Sequence, residues 1–217
     1  MANSYRRQII VDGPRNVVVL ASGVLDTADI GVAGQIGASG FTTNIGSPNV
    51  AFVAGALAPM VGQYLTFGDG TTTFPAGTYI VSITDATHIV VSNNALANNA
   101  AAAVTITGVA GGMVLLDPAV LIGMDNTGLI KAKELSLLKV VFTVEDGLEV
   151  RLSWDATTPV IFDILTGRTK TDYHDISGLP PPLPALAGAN GRILLSTEGW
   201  SGVKSFTVTV YCKKLGT

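Results

Sequence analysis

Charge is scarce in this chain. Only 13% of its 217 residues are Asp, Glu, Lys or Arg, about half the usual share for a globular domain. One cysteine, Cys212, excludes an intrachain disulfide framework, and its place among strand residues makes it a small core hydrophobe. Two histidines and one cysteine do not supply the four ligands of a zinc site, so no metal is expected. Long apolar runs are also missing. A spanning helix needs about 20 mostly apolar residues, but residues 109–124 are broken by Gly111-Gly112 and Asp117-Pro118, and residues 95–103 by Asn98-Asn99. No membrane role is expected. Net charge is -3, and apart from Arg6-Arg7 and Lys213-Lys214 the basic residues are scattered. Nucleic-acid binding, which needs a basic stripe to displace counterions, is not expected either. Ser4-Tyr5-Arg6-Arg7 superficially suggests a twin-arginine export signal, but Asp12, Pro14 and Arg15 break the apolar stretch such a signal requires. Synthesis in a cytoplasm without export is expected.

Apolar residues are abundant, at 47%. With membranes set aside, burial against other protein accounts for this excess, since obligate interfaces resemble a core cut in half. A homo-oligomer is expected.

The chain reads as all-β in three stretches. Residues 1–32 hold strand-like runs at 5–11 and 16–25, joined by the turn Asp12-Gly13-Pro14. Between 33 and 112 charge nearly vanishes: Asp69 and Asp85 are the acids, and no Lys or Arg appears. Short β-branched runs at 63–67, 78–83, 88–92 and 104–107 alternate there with turn signals, as in a small barrel or sandwich. The alanine-rich run 95–103 reads as a loop or a single helical turn, given Asn93 and Asn94 before it and Asn98 and Asn99 within it. Residues 113–217 regain charge and both tryptophans. The resulting expectation is a discontinuous β-sandwich or jelly-roll-like domain, 1–32 with 113–217, carrying an inserted β-barrel or β-sandwich module at 33–112.

Alternation predicts faces in the third stretch. With Glu145-Asp146-Gly147 as a hairpin loop and Gly147 left-handed, Val144 pairs with Leu148, Phe142 with Val150, Val140 with Leu152 and Leu138 with Trp154. A one-residue slip would expose this apolar row. Phe206, Val208, Val210 and Cys212 form another apolar row, opposed by Ser205, Thr207, Thr209 and Tyr211. Residues 159–165 and 192–197 supply further strands. Between them Gly178-Leu179-Pro180-Pro181-Pro182-Leu183-Pro184 is an extended arm, because proline cannot donate to a ladder.

Candidate chemistry is thin. His88 has no second ligand in its β run, and His174 in Tyr173-His174-Asp175 has no nucleophile converging on it. Asp125-Asn126-Thr127-Gly128 and Gly68-Asp69-Gly70 read as turns, not as calcium loops. Asp163, Asp172 and Asp175 have no fixed geometry. Gly111-Gly112, Gly37 and Gly40 lack the Gly-Lys-Ser/Thr that completes a phosphate loop. No catalytic residue and no cofactor is expected. A stiff proline arm loses little entropy on docking, and an exposed tryptophan is a good interface anchor. Leu179, Pro180, Pro181, Pro182, Leu183, Pro184 and Trp200 are therefore the candidate interface residues. Trp154, Trp200 and Tyr173 were weighed as a sugar-stacking platform, with Trp154 assigned to the core.

Several segments resemble a family of tailed-bacteriophage virion structural proteins. They are Val11-Asp12-Gly13-Pro14-Arg15-Asn16-Val17-Val18-Val19, Gly23-Val24-Leu25-Asp26-Thr27, the run 148–159, Gly167-Arg168, Gly178-Leu179, and Ile193-Leu194-Leu195-Ser196-Thr197-Glu198-Gly199-Trp200. Family members lack most of 33–112. The runs 75–83 and 89–93 are similar to small β modules of phage particle proteins. The resemblance implies a non-enzymatic virion part, assembled in the bacterial host cytoplasm. A capsid decoration (cement) protein bound to the major capsid protein and to copies of itself is the leading expectation. The alternatives are a neck, adaptor or tail ring component, and a glycan-binding module displayed on the particle.

Overall fold

A computed structural model describes residues 3–55, 58–67, 74–98, 106–124, 130, 132–173, 178–179 and 187–216. The fold is nearly all β. Fourteen strands appear in chain order: β1 Ser4–Asp12, β2 Asn16–Leu25, β3 Gly34–Thr43, β4 Asn49–Ala54, β5 Gln63–Phe67, β6 Ile80–Asp85, β7 His88–Val91, β8 Ile106–Leu116, β9 Glu134–Val144, β10 Glu149–Trp154, β11 Val160–Leu165, β12 Arg168–Asp172, β13 Ile193–Glu198 and β14 Lys204–Leu215. A single 3-10 turn, Pro118–Val120, is capped by Asp117, whose carboxylate accepts from the Ala119 N–H at 2.9 Å. The chain divides into an outer unit, Asn3–Asp29 with Leu115–Thr217, and an inner unit, Ile30–Val114. The sequence boundaries stood at 32/33 and 112/113.

The outer unit is a sandwich. One sheet runs β1-β2-β14-β9-β12, all antiparallel, and the other contains β11-β10-β13. Strand β14 alternates as its sequence suggests: Phe206, Val208, Val210 and Cys212 are buried, while Ser205, Thr207, Thr209 and Tyr211 are exposed or half-buried. Its partner β2 buries Val17, Val19, Ala21 and Leu25. On β9 the buried positions change parity, from Leu135 and Leu137 to Val140, Phe142 and Val144. A bulge explains the change: Tyr211 opposes Lys139 and Cys212 opposes Leu137, so Leu138 is the extra residue.

The expected β9–β10 hairpin does not form. β9 pairs with β14 and β12, whereas β10 pairs with β11 and β13. Residues 145–148 carry the chain from one sheet to the other. Gly147 still takes the left-handed conformation, at φ 81°. The apolar rows were assigned to the correct side, apart from Leu138, which is half-buried. They oppose each other across the core instead of lying side by side in one sheet. Alternation specifies which face is buried, and a hairpin and an arch between sheets bury the same face.

The strand β14 ends on a lysine that continues its buried row. Lys214 is 1% exposed. Its ammonium pairs with the Asp12 carboxylate and donates to the Ile122 carbonyl at 2.8 Å. Its backbone N–H donates to Arg15 O at 2.7 Å. The end of β14 is thus fastened to the β1–β2 turn. A buried ammonium costs several kcal/mol to desolvate, and this pairing offsets that cost. Arg192 pairs with Asp117 at 2.9 Å and lies 3.9 Å from Asp155.

The inner unit closes on itself. Its strands follow the order β8-β3-β4-β7-β6, and β5 pairs with the other edge of β8. Beyond the ladder, Tyr64 bridges Tyr79, Gly62 N–H donates to Ile80 O at 2.7 Å, and Leu65 N–H donates to Thr78 O at 2.9 Å. β5 thereby meets the start of β6, and the module is a small barrel. Its interior includes Ile36, Phe41, Phe52, Leu65, Phe74, Ile80, Ile89 and Ile106. Residues 95–98 are not helical, and 99–103 lie outside the described residues.

Two substitutions test this account. A methyl group on Gly23 would stand 2.6 Å from a ring carbon of Phe206, so Gly23→Ala should lower the unfolding free energy by about 1–3 kcal/mol, read by urea titration. Asp12→Asn removes one partner of the buried pair and should cost about 3 kcal/mol or more, whereas Asp172→Asn, at an exposed pair, should change stability by less than about 1 kcal/mol.

Candidate interaction site

Two edge strands of the outer unit expose apolar side chains. β1 has one neighbour, β2, and along it Ile9, Ile10 and Val11 are exposed, Ile10 at 52%. A register shift between Ile9 and Val11 turns this consecutive apolar run outward. β11 borders β10, and its Ile161 and Ile164 are exposed, the latter at 51%. Phe162 between them stacks on Trp154, with ring centroids 4.6 Å apart. The far edge of the five-stranded sheet differs. β12 carries exposed Arg168, Lys170 and Asp172, the charged side chains that usually blunt an edge.

The interface candidates fall in separate places. Leu179 is half-buried and tied to its own chain: it pairs with Leu137 of β9 through N–H···O bonds of 2.9 and 2.7 Å. Pro180, Pro181, Pro182, Leu183 and Pro184 lie outside the described residues. Trp200 follows β13 and is half-buried, less open than an exposed anchor would be. Its backbone N–H points at the Asp29 carboxylate, which also accepts from the Thr197 hydroxyl at 2.9 Å. Its indole N–H is enclosed without a hydrogen-bond partner. Leu179 and Trp200 belong to different sheets of the sandwich and do not form one patch. The edge residues Ile10, Ile161 and Ile164 are among the exposed large apolar side chains, together with others such as Ile45, Val120, Ile122 and Val203. Three consecutive apolar residues at 9–11, breaking strict alternation, were the available signal.

Other candidates resolve as structural. Cys212 is buried, and burial pushes its thiol up, out of the range of a reactive thiolate. Tyr173 donates to Asp163 at 2.9 Å, and burial followed by that carboxylate pushes its phenol up. Trp154 is a core residue, so the Trp154–Trp200–Tyr173 platform is not available for stacking. His174, Asp175, Asp69 and the 125–128 turn lie outside the described residues. Among the described residues, no group of three or more His, Cys, Asp or Glu is placed to hold a metal ion. No helix among them is long and apolar enough to cross a membrane.

The inner unit carries a groove of about 460 Å³ with a mixed polar and apolar lining. Its lining includes Thr42, Asn44, Asn49, Ala51, Asp85 and His88. Asp85 stands at the β6–β7 turn. It accepts from the Thr87 N–H at 2.8 Å, from the Thr87 hydroxyl at 2.9 Å, and lies 2.9 Å from His88 Nδ1. These hydrogen bonds, the backbone one first, hold its carboxyl well below the usual carboxylate range, at about 2.

No family model, curated protein or solved structure matches this chain.

The depressed Asp85 value has a testable consequence. A lowered folded pKa means the ionised carboxylate supports the turn above the unfolded value near 4. That support is lost as pH falls through about 2. An NMR titration of the Asp85 carboxyl carbon should show a midpoint about two units below that of an unstructured aspartate, and Thr87→Ala should move it upward.

Proposed function

We propose that this chain is a non-enzymatic structural protein of a tailed-bacteriophage virion, a capsid decoration (cement) protein that binds the major capsid protein and copies of itself. The observation that carries the reading is the apolar exposure on two edge strands, Ile9–Val11 on β1, beyond its Arg6 and Arg7, and Ile161 and Ile164 on β11. Open edges offer backbone donors and acceptors together with apolar side chains, the components of strand addition. Each such contact is modest. Several made at once across neighbouring capsomers raise effective affinity by orders of magnitude.

The segments that resemble virion proteins also meet in space. Residues 148–159 form β10 and its following corner, and 193–200 form β13 and its corner. The two strands pair directly, from Glu149 with Glu198 to Trp154 with Ile193. Residues 11–19 supply the β1–β2 turn and the start of β2.

A neck, adaptor or tail ring component is the second reading, because exposed edges also suit ring closure. Quantitative mass spectrometry of purified mature particles separates the two. Hundreds of copies per particle are expected for a shell protein, against about six to twelve for a ring. A ring-like count overturns the decoration reading, and absence from the particle overturns the virion reading altogether.

A further inference from the structure

We propose that the outer face of the inner barrel is a binding site for a neutral, polyhydroxylated ligand, of the kind presented by an uncharged saccharide. This inference goes beyond particle attachment, which rests on the outer unit, and it stands or falls separately.

The site is built by strand register. Thr42 of β3 opposes Ala51 of β4, Ala51 opposes His88 of β7, and His88 opposes Asp85 of β6. Residues directly opposite each other in neighbouring strands share a face. Thr42, Ala51, His88 and Asp85 therefore form one row across four strands, on the face opposite the buried Phe41, Val50 and Ile89. Alanine in the middle of the row leaves a depression, flanked by a hydroxyl on one side and by an imidazole and a carboxylate on the other. Asn49, two residues along β4 on the same face, and Asn44, just past the end of β3, add two exposed amides to the lining. The resulting groove, about 460 Å³, falls in the range of small-ligand sites.

The chemistry selects the ligand class. The lining presents amide donors and acceptors, a hydroxyl, an imidazole and a carboxylate that stays ionised, a set that matches vicinal hydroxyl groups. No Lys or Arg occurs anywhere between residues 33 and 112, so apart from His88, which is already paired with Asp85, nothing in the module offsets a ligand's negative charge, and Asp85 repels it. Acidic sugars, phosphates and nucleic acids are disfavoured on that ground. The aromatic side chains of the described insert are committed to the barrel or half-buried: Phe41, Phe52, Phe74 and Tyr79 are inside, and Tyr64 and Phe67 pack on other rings. Recognition at this face is accordingly by hydrogen bonds around a small apolar floor, with the His88 ring as the one π face.

The test uses the full chain on an array of bacterial surface saccharides, neutral and acidic, with Asp85→Asn and Ala51→Leu as variants. Both positions lie on the outer face, and circular dichroism and unfolding midpoints establish that the variants remain folded. Retention of one or more neutral saccharides is expected, reduced at least tenfold by Asp85→Asn, which removes the charge, and by Ala51→Leu, which fills the depression. The proposal is overturned if no neutral saccharide is retained, if acidic ones are preferred, or if retention survives both substitutions. Particle copy number of Ala51→Leu, measured in parallel, should equal that of the unaltered protein, which keeps this result separate from the attachment reading.

Discussion

The outer unit depends on one strand. β14 lies between β2 and β9 and pairs with both along nearly its whole length, from Lys204 opposite Leu25 to Lys213 opposite Asn16, and from Phe206 opposite Val144 to Leu215 opposite Glu134. The C-terminal strand therefore joins a segment from the start of the chain to one from the middle. Without it, β1 and β2 would be an isolated hairpin, too small for independent stability in water. The closing of that sheet spans the entire inner unit, but loop-closure cost grows only logarithmically with length. An insert that folds as its own barrel adds still less, because it brings its two ends together. The Lys214–Asp12 pair sets the register where β14 meets the β1–β2 turn. Sliding β14 by two residues, which keeps the same face inward, would leave that lysine buried away from its carboxylate, a penalty larger than most single apolar contacts.

Strand patterning was legible wherever one face is wet and the other dry. β2 and β14 alternate strictly, and the buried row of β14 followed directly from sequence. The neighbour of each strand was less accessible. The apolar rows of β9 and β10 are compatible with a hairpin or an arch, and no residue near Gly147 distinguishes them locally. What decides is that β9 finds two other partners, β14 and β12, and β12 is a short charged segment with little apolar signal of its own. β3 was hidden for a different reason: Gly34–Thr43 is rich in glycine and small residues, poor in intrinsic strand preference, and is held in place by its neighbours. β8 was read as ending before Gly111-Gly112. The strand instead runs through both glycines, which take φ 119° and 114° while their N–H groups approach Gly31 O at 3.2 and 3.3 Å. A glycine pair that looks like a break in sequence is here an irregularity that the strand absorbs.

The two units handle exposed backbone in opposite ways. The inner unit closes, so its strands leave few free edges and its surface is read through side chains, such as the row from Thr42 to Asp85. The outer unit stays open, with one edge made soluble by Arg168 and Lys170 and two left apolar. An open apolar edge is an aggregation liability for a monomer unless something covers it. Low overall charge makes that liability sharper, because little electrostatic repulsion keeps copies apart.

This division bears on how attachment and recognition respond to solvent. Contacts made by Ile10, Ile161 and Ile164 gain from apolar burial and should strengthen with excluded salts such as sulfate, since those favour removing apolar surface from water. At the groove, the proposed contacts would rest on hydrogen bonds to a carboxylate that is already paired with His88 at 2.9 Å and stays ionised until strongly acid conditions. They change little with moderate salt, because neutral ligands contribute no charge to screen. If both proposals hold, the protein would keep its partners through one surface and sample ligands through another, and moderate changes in ionic strength that weaken charge-based interfaces would leave both in place.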